Sequence, residues 1–236
     1  MHRARRLTVL ACSGLLLAAT ACTHADSSSD DAKAPAVSPG ASEGKVGSGL
    51  PLTEALGKLK AARESRTGYE REKFKLWVDK DHDGCDTRKE VLLAEAVKKP
   101  RQGEDCKLTA GTWRSYYDDK TVTDARKLDI DHVVPLAEAW DSGASKWTAE
   151  RREDYANDLD AQRSLVAVSL GPNRSKGDQD PAEWLPPAKD ALCTYATDWV
   201  ATKLRWSLSS DRTETKALHK AAKGCTDATV TYTLAP

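Results

Sequence analysis

Asp129-Ile130-Asp131-His132-Val133-Val134-Pro135 decides how this chain is read: acidic and apolar residues alternate, a histidine follows, and a proline closes the run. Alternation of this kind predicts a strand. Pro135 ends it and suits the first turn of the helix suggested by Leu136, Ala137, Ala139 and Trp140. Asp131 and His132 therefore fall where a strand feeds a turn. Further on, Leu165-Val166-Ala167-Val168 reads as a second strand, Gly171-Pro172 as its break, and Asn173-Arg174-Ser175-Lys176 as the opening of the next element.

Only His82, His132 and His219 fall in the part of the chain that can fold, and His132 alone is flanked by an acid and by β-branched residues. Imidazole is matched to deprotonating water near neutral pH. Hydrolysis of a phosphodiester also needs positive charge on the phosphoryl oxygens and leaving group, which a hard divalent ion supplies. Neighbouring strand residues point to opposite faces, so Asp131 and His132 share one site only if the strand ends or twists there. His219 sits on a charged helical segment and reads as a surface residue.

The order of these segments resembles an HNH nuclease core, the ββα-metal or His-Me finger motif. It is most similar to the C-terminal domain family of GmrSD-type restriction endonucleases, and also resembles the HNH domain of RNA-guided DNA nucleases. The likeness spans Asp129 to Pro187, including Gly177-Asp178 and Asp180-Pro181-Ala182-Glu183-Trp184. Upstream, Tyr69, Trp77, an acidic loop and Asp86-Thr87-Arg88 resemble a secreted subgroup of the same family. The resemblance implies Asp131 and Asn173 as ligands of one divalent ion, magnesium or manganese, and His132 as the base that activates water. Lys176, and less directly Arg174, would face the phosphate. Ser164 stands where spacing from Asn173 would put the motif's middle asparagine. Either Asn157, one helix earlier, or a backbone group would then orient His132.

Asp79, Asp81, Asp83, Gly84 and Glu90 match the calcium-loop pattern D-x-D-x-D-G-x5-E, with Cys85 at the position that contributes a carbonyl. The alternative is a solvated acidic turn with Asp86 and Arg88 paired. Cys85, Cys106, Cys193 and Cys225 are an even set suited to an oxidising compartment. Of three connectivities, Cys85 with Cys106 and Cys193 with Cys225 close moderate loops. Zinc is the alternative, though no C-x-x-C pair is present.

Around these features, apolar spacing predicts helices over 51–66, 148–157 and 211–222, and a helical stripe at Leu192, Tyr195, Trp199 and Leu204. Trp113 to Tyr117, a turn at Asp118-Asp119-Lys120 and Thr121-Val122 predict a hairpin. Trp113, Trp140, Trp147, Trp184, Trp199 and Trp206 are read as packing residues rather than base-stacking platforms.

The N-terminus reads as a leader. Arg3, Arg5 and Arg6 precede an apolar run, Leu7 to Ala19, too short to span a bilayer. Ala19-Thr20-Ala21-Cys22 resembles a lipoprotein signal over 1–21, with Cys22 acylated and Cys12 discarded; an ordinary secretory signal is the alternative. Residues 22–49, rich in Ser, Ala, Asp, Gly and Pro, form a tether that cannot bury enough surface to order itself. Residues 50–236 form one domain. Losing three arginines turns an even balance of 36 basic and 36 acidic side chains into a small acidic excess. That counts against a broad basic nucleic-acid surface, so any polyanion must be met by a local basic patch or by metal.

The sequence thus predicts an α+β, disulfide-stapled, monomeric domain with a ββα-metal core wrapped by helices. It would be exported and held to the outer face of a bacterial membrane by lipid alone, or secreted. The reaction implied is metal-dependent endonucleolytic hydrolysis of DNA. RNA is the nearer alternative, and a non-catalytic, calcium-binding surface lipoprotein with a degenerate core the more distant one.

Overall fold

The described part of the chain, residues 47–161 and 163–236 of a computed structural model, begins in strand β1 (Gly47–Pro51). The leader, Cys22 and most of the tether lie outside the described residues. Gly47, Ser48 and Gly49, assigned above to the tether, belong to β1. Helix α1 (Leu52–Leu56) buries Leu52, Ala55 and Leu56, but it stops at Gly57 rather than running to Arg66. Beyond it, β2 (Lys60–Ala61) gives its backbone to a parallel ladder with Ser209 and Ser210. Long-range pairing overrides a local helical pattern here, since propensity is a weak prior against tertiary hydrogen bonds.

The acidic loop leads into α2 (Thr87–Ala94), whose first turn is capped by the Asp86 carboxylate accepting from Lys89 N at 3.0 Å. A short antiparallel pair follows, β3 (Arg101–Gln102) with β4 (Leu108–Thr109). Next comes the expected hairpin, β5 (Trp113–Ser115) with β6 (Lys120–Val122).

Strand β7 (Leu128–His132) leaves through Pro135 into α3 (Leu136–Asp141) and then α4 (Ala149–Ala156), which is capped by Thr148. The chain returns as β8 (Leu165–Ser169), antiparallel to β7 in unbroken register from Leu128 opposite Ser169 to His132 opposite Leu165. It ends just before Gly171 and Pro172, as expected, and passes directly into α5 (Leu170–Lys176), whose first turn those two residues occupy. Helix α6 (Leu192–Arg205), β9 (Ser209–Ser210), α7 (Arg212–Ala222), capped by Asp211, and β10 (Thr229–Tyr232) complete the order, and β10 pairs with β1. The result is α+β, with every sheet among the described residues two-stranded.

The β7–β8 pair is packed on both faces, which is why Leu165 to Val168 reads as an unbroken apolar run. Leu128, Ile130, Leu165 and Ala167 meet Val91, Leu92 and Trp113 on one side. Val166 and Val168 join the larger core around Tyr117, Tyr195 and Trp199 on the other. Trp113, Trp199 and Trp206 are fully buried, in keeping with a packing role, and each large apolar side chain so buried contributes about 1.5–3 kcal/mol. Disulfides join Cys85 to Cys106 and Cys193 to Cys225, the connectivity favoured from loop size.

Candidate active site

Strand alternation places Asp129 and Asp131 on one face of β7 and Leu128, Ile130 and His132 on the other. The ladder continues through His132, so the side chains of Asp131 and His132 diverge. Asp131 is buried. Its Oδ2 accepts from Tyr117 OH at 2.6 Å and from Lys176 Nζ at 2.7 Å. Lys176, expected to face a phosphate, is instead 0% exposed, and it also donates to the His132 carbonyl at 2.9 Å. Burial pushes the Asp131 carboxyl up and the Lys176 ammonium down, while their mutual contact opposes both shifts.

Asn173, on the helix that β8 feeds, donates from Nδ2 to Asp129 Oδ2 at 3.1 Å. The helix asparagine thus reaches the acidic face of β7, but at Asp129, two residues before the expected partner. Among the described residues neither Asn173 Oδ1 nor Asp131 Oδ1 has a hydrogen-bond partner. Arg174 lies exposed on the same helix and is the basic group there that solvent reaches. This face offers hard oxygen donors only, the set that suits magnesium or manganese.

His132 is 6% exposed, between Trp77 and Tyr155, whose ring centroids lie 6.0 and 6.1 Å from its own. Its Nε2 is 3.0 Å from the Ala156 carbonyl. A ring that donates from Nε2 keeps its lone pair on Nδ1. Burial lowers the imidazole pKa to about 4, so the ring is neutral at physiological pH. A backbone carbonyl, not an asparagine side chain, therefore holds this ring.

Asn157 adjoins that carbonyl and braces the surrounding chain. Its Oδ1 accepts from Val78 N at 3.0 Å and Thr87 Oγ1 at 2.8 Å, and its Nδ2 donates to the Lys75 and Glu153 carbonyls, both at 2.8 Å. Ser164, in the motif's middle position, donates to Asp158 Oδ2 at 3.1 Å, and its carbonyl accepts from Val133 N.

The GmrSD restriction endonuclease C-terminal domain model matches residues 86–221, which enclose β7, β8 and α5. The chain belongs to that family. Membership in the GmrSD family points to nuclease-type chemistry. An uncharacterized secreted protein of Arthroderma benhamiae is 41% identical over 158 residues, covering 67% of this chain and 76% of that one. No solved structure matches.

Most of the acidic loop precedes the segment matched to the GmrSD family. Asp79, Asp81 and Asp83 each bring a carboxylate oxygen within 4.8 Å of the others. Asp83, Cys85 and Glu90 form an overlapping group, in which the Cys85 sulfur is consumed by its disulfide. Gly84 takes φ +93°, and its N–H donates to Asp79 Oδ2 at 3.0 Å. Asp79 Oδ1 is buried with no partner among the described residues. Asp86 pairs with Lys89, while Arg88 donates to the Leu128 carbonyl and ties α2 to β7. His82 and His219 are exposed.

Sequence reasoning missed Tyr117, Asp129 and the Ala156 carbonyl. Asp129 was accessible to it, since residues i and i−2 of a strand share a face. Tyr117 and Ala156 arrive from other elements and carry no local signal.

Proposed function

We propose that this protein is an exported endonuclease that hydrolyses phosphodiester bonds of DNA on an HNH-type ββα core formed by β7, β8 and α5. The observation that carries the reading is the Asn173 amide meeting the carboxylate face of β7, with an imidazole anchored at the end of the same strand. Family membership and a relative described as secreted support nuclease chemistry and export. The lipid anchor at Cys22 belongs to the same proposal.

His132 leaves β7 on the face opposite the carboxylates, so in this reading the strand end turns when substrate binds, and Nδ1, left free because Nε2 is fixed on Ala156 and the ring is neutral at physiological pH, accepts the proton of the attacking water. Asn173 and a β7 carboxylate would hold one magnesium or manganese ion, which when bound supplies positive charge to the phosphoryl oxygen and leaving group. Arg174 meets a backbone phosphate beside the site. Lys176 acts inside the protein, locking Asp131 to the His132 carbonyl. The acidic loop, through Asp79, Asp81, Asp83 and Glu90 with the Cys85 carbonyl, takes a structural calcium ion, for which the partnerless Asp79 Oδ1 speaks. Calorimetry on the apo protein giving no heat with calcium sinks that part alone.

Supercoiled plasmid incubated with magnesium, with manganese or with chelator tests the enzyme. Metal-dependent nicking that disappears in His132→Ala is the expected result. Equal nicking by both proteins overturns the proposal. A structured RNA run in parallel shows which nucleic acid is cut faster.

A further inference from the structure

The acidic face of β7 presents two carboxylates, and their surroundings differ in a way that divides the work between them. Asp131 is neutralised from inside: Lys176 Nζ lies 2.7 Å from its Oδ2 and Tyr117 OH lies 2.6 Å from the same oxygen. A divalent ion approaching that carboxylate meets a pair whose charges cancel, and it is repelled by an ammonium that cannot retreat to solvent, because Lys176 is fully buried. Asp129 is half-buried, has no ion pair among the described residues, and receives only the neutral Asn173 amide. No cation among the described residues pairs with it, and it lies on a face that solvent reaches.

We infer that Asp129, with Asn173, is the carboxylate that binds the divalent cation, and that Asp131 is the internal counter-ion of Lys176. This rests on the nuclease reading above for the presence of a cation at the β7–α5 face. The spacing fits. Two neighbouring oxygens on an octahedral ion with bonds of about 2.1 Å lie about 3 Å apart, and Asn173 Nδ2 stands 3.1 Å from Asp129 Oδ2. Rotating the amide by half a turn exchanges Nδ2 for Oδ1 and presents two oxygens at that separation, at no cost in side-chain packing. Without a cation the amide nitrogen is the natural neighbour of the carboxylate. With one, the amide oxygen is.

Manganese binding, followed by loss of the free-ion electron paramagnetic resonance signal, tests the assignment without reference to turnover. The measurement uses the full-length protein carrying Asp81→Asn and Asp83→Asn, so that the acidic loop does not contribute. Asp129→Asn and Asn173→Ala are each expected to weaken binding at least tenfold with unchanged circular dichroism. Asp131→Asn alone strands a buried ammonium, so Asp131 is tested in the double variant Asp131→Asn, Lys176→Met, which is expected to bind within threefold of the parent. Parental affinity in Asp129→Asn overturns the inference, as does a tenfold loss in a folded double variant. Plasmid nicking by the wild type is scored in parallel. Nicking together with Asp129-independent manganese binding rejects the carboxylate assignment and leaves the nuclease intact, whereas Asp129-dependent binding without nicking does the reverse.

Discussion

Lys176 shows what a single buried charge demands. Its ammonium has no contact with water and is held by Asp131 and the His132 carbonyl. Lys176→Met is therefore expected to cost about 3–5 kcal/mol, because Asp131 is left charged, buried and without its cation. The double change Asp131→Asn, Lys176→Met should recover most of that loss, since removing both partners spares the stranded charge. Urea unfolding at pH 7 checks both, and a double variant no more stable than the single one rejects the account. His132 imposes a different demand. Its folded pKa of about 4 lies below the unfolded value of about 6.5. Between those values the unfolded chain binds a proton that the folded protein does not. The histidine's contribution is thus present above pH 6.5 and is lost as pH falls toward 4, by roughly 3 kcal/mol. His132→Gln should remove this dependence, seen as a shrinking gap between wild-type and variant unfolding free energies from pH 7 to pH 4.5. A gap that stays constant excludes a buried neutral ring.

At the scale of elements, α4 carries more than its own helix. Asn157 at its end fastens the 75–78 segment and the start of α2, and it directly follows Ala156, whose carbonyl holds His132. Asn157→Ala leaves several half-buried partners without donors or acceptors and is expected to destabilise by about 2–4 kcal/mol. Nicking should fall further than the folded fraction does, because the imidazole loses its support. Activity that merely tracks folded protein would confine Asn157 to stability. The pieces of this arrangement differ in how well they could be read from sequence. Strands β7 and β8, the capped helices α4 and α7 and the β5–β6 hairpin follow from alternation, caps and turn residues close by in the chain. The fate of 57–66 does not, because the parallel ladder that ends α1 lies with Ser209 and Ser210, far downstream. The site divides in the same way. The order of β7, β8 and α5, which brings Asn173 to the acidic face of β7, is legible in the sequence, whereas its meeting with Asp129 and the internal use of Lys176 depend on Tyr117 and on a burial that only the packed core creates.

For the whole molecule, covalent staples and buried acids act together. Each disulfide closes a loop, with sequence separations of 21 and 32, and by chain entropy is worth about 3–4 kcal/mol, so Cys193→Ser with Cys225→Ser should lower the melting temperature by several degrees or more. The charge balance inside the fold sets a stability optimum on the acid side. Burial raises Glu95, Glu138 and Asp198 to about 7, and burial followed by the neighbouring Glu138 and Asp211 charges raises the partly exposed Glu64 to about 8. Lys203 answers two of the acids in this region: burial works against its charge, but Glu214 at 2.6 Å and Glu138 at 2.7 Å outweigh that and hold the ammonium firmly. In the unfolded chain these carboxylates release their protons near pH 4–4.5, whereas the folded protein keeps them until about pH 7–8. Across that window the folded state binds more protons, so stability falls as pH rises. His132 pulls the other way below pH 6.5, but it is one group against several. The disulfide-intact protein is therefore expected to unfold at a higher temperature at pH 5.5 than at pH 8, and Glu64→Gln, Glu95→Gln or Asp198→Asn should each narrow the difference. Equal or greater stability at pH 8 would mean that these acids stay ionised in the fold, with cations or water reaching them where the packing leaves none.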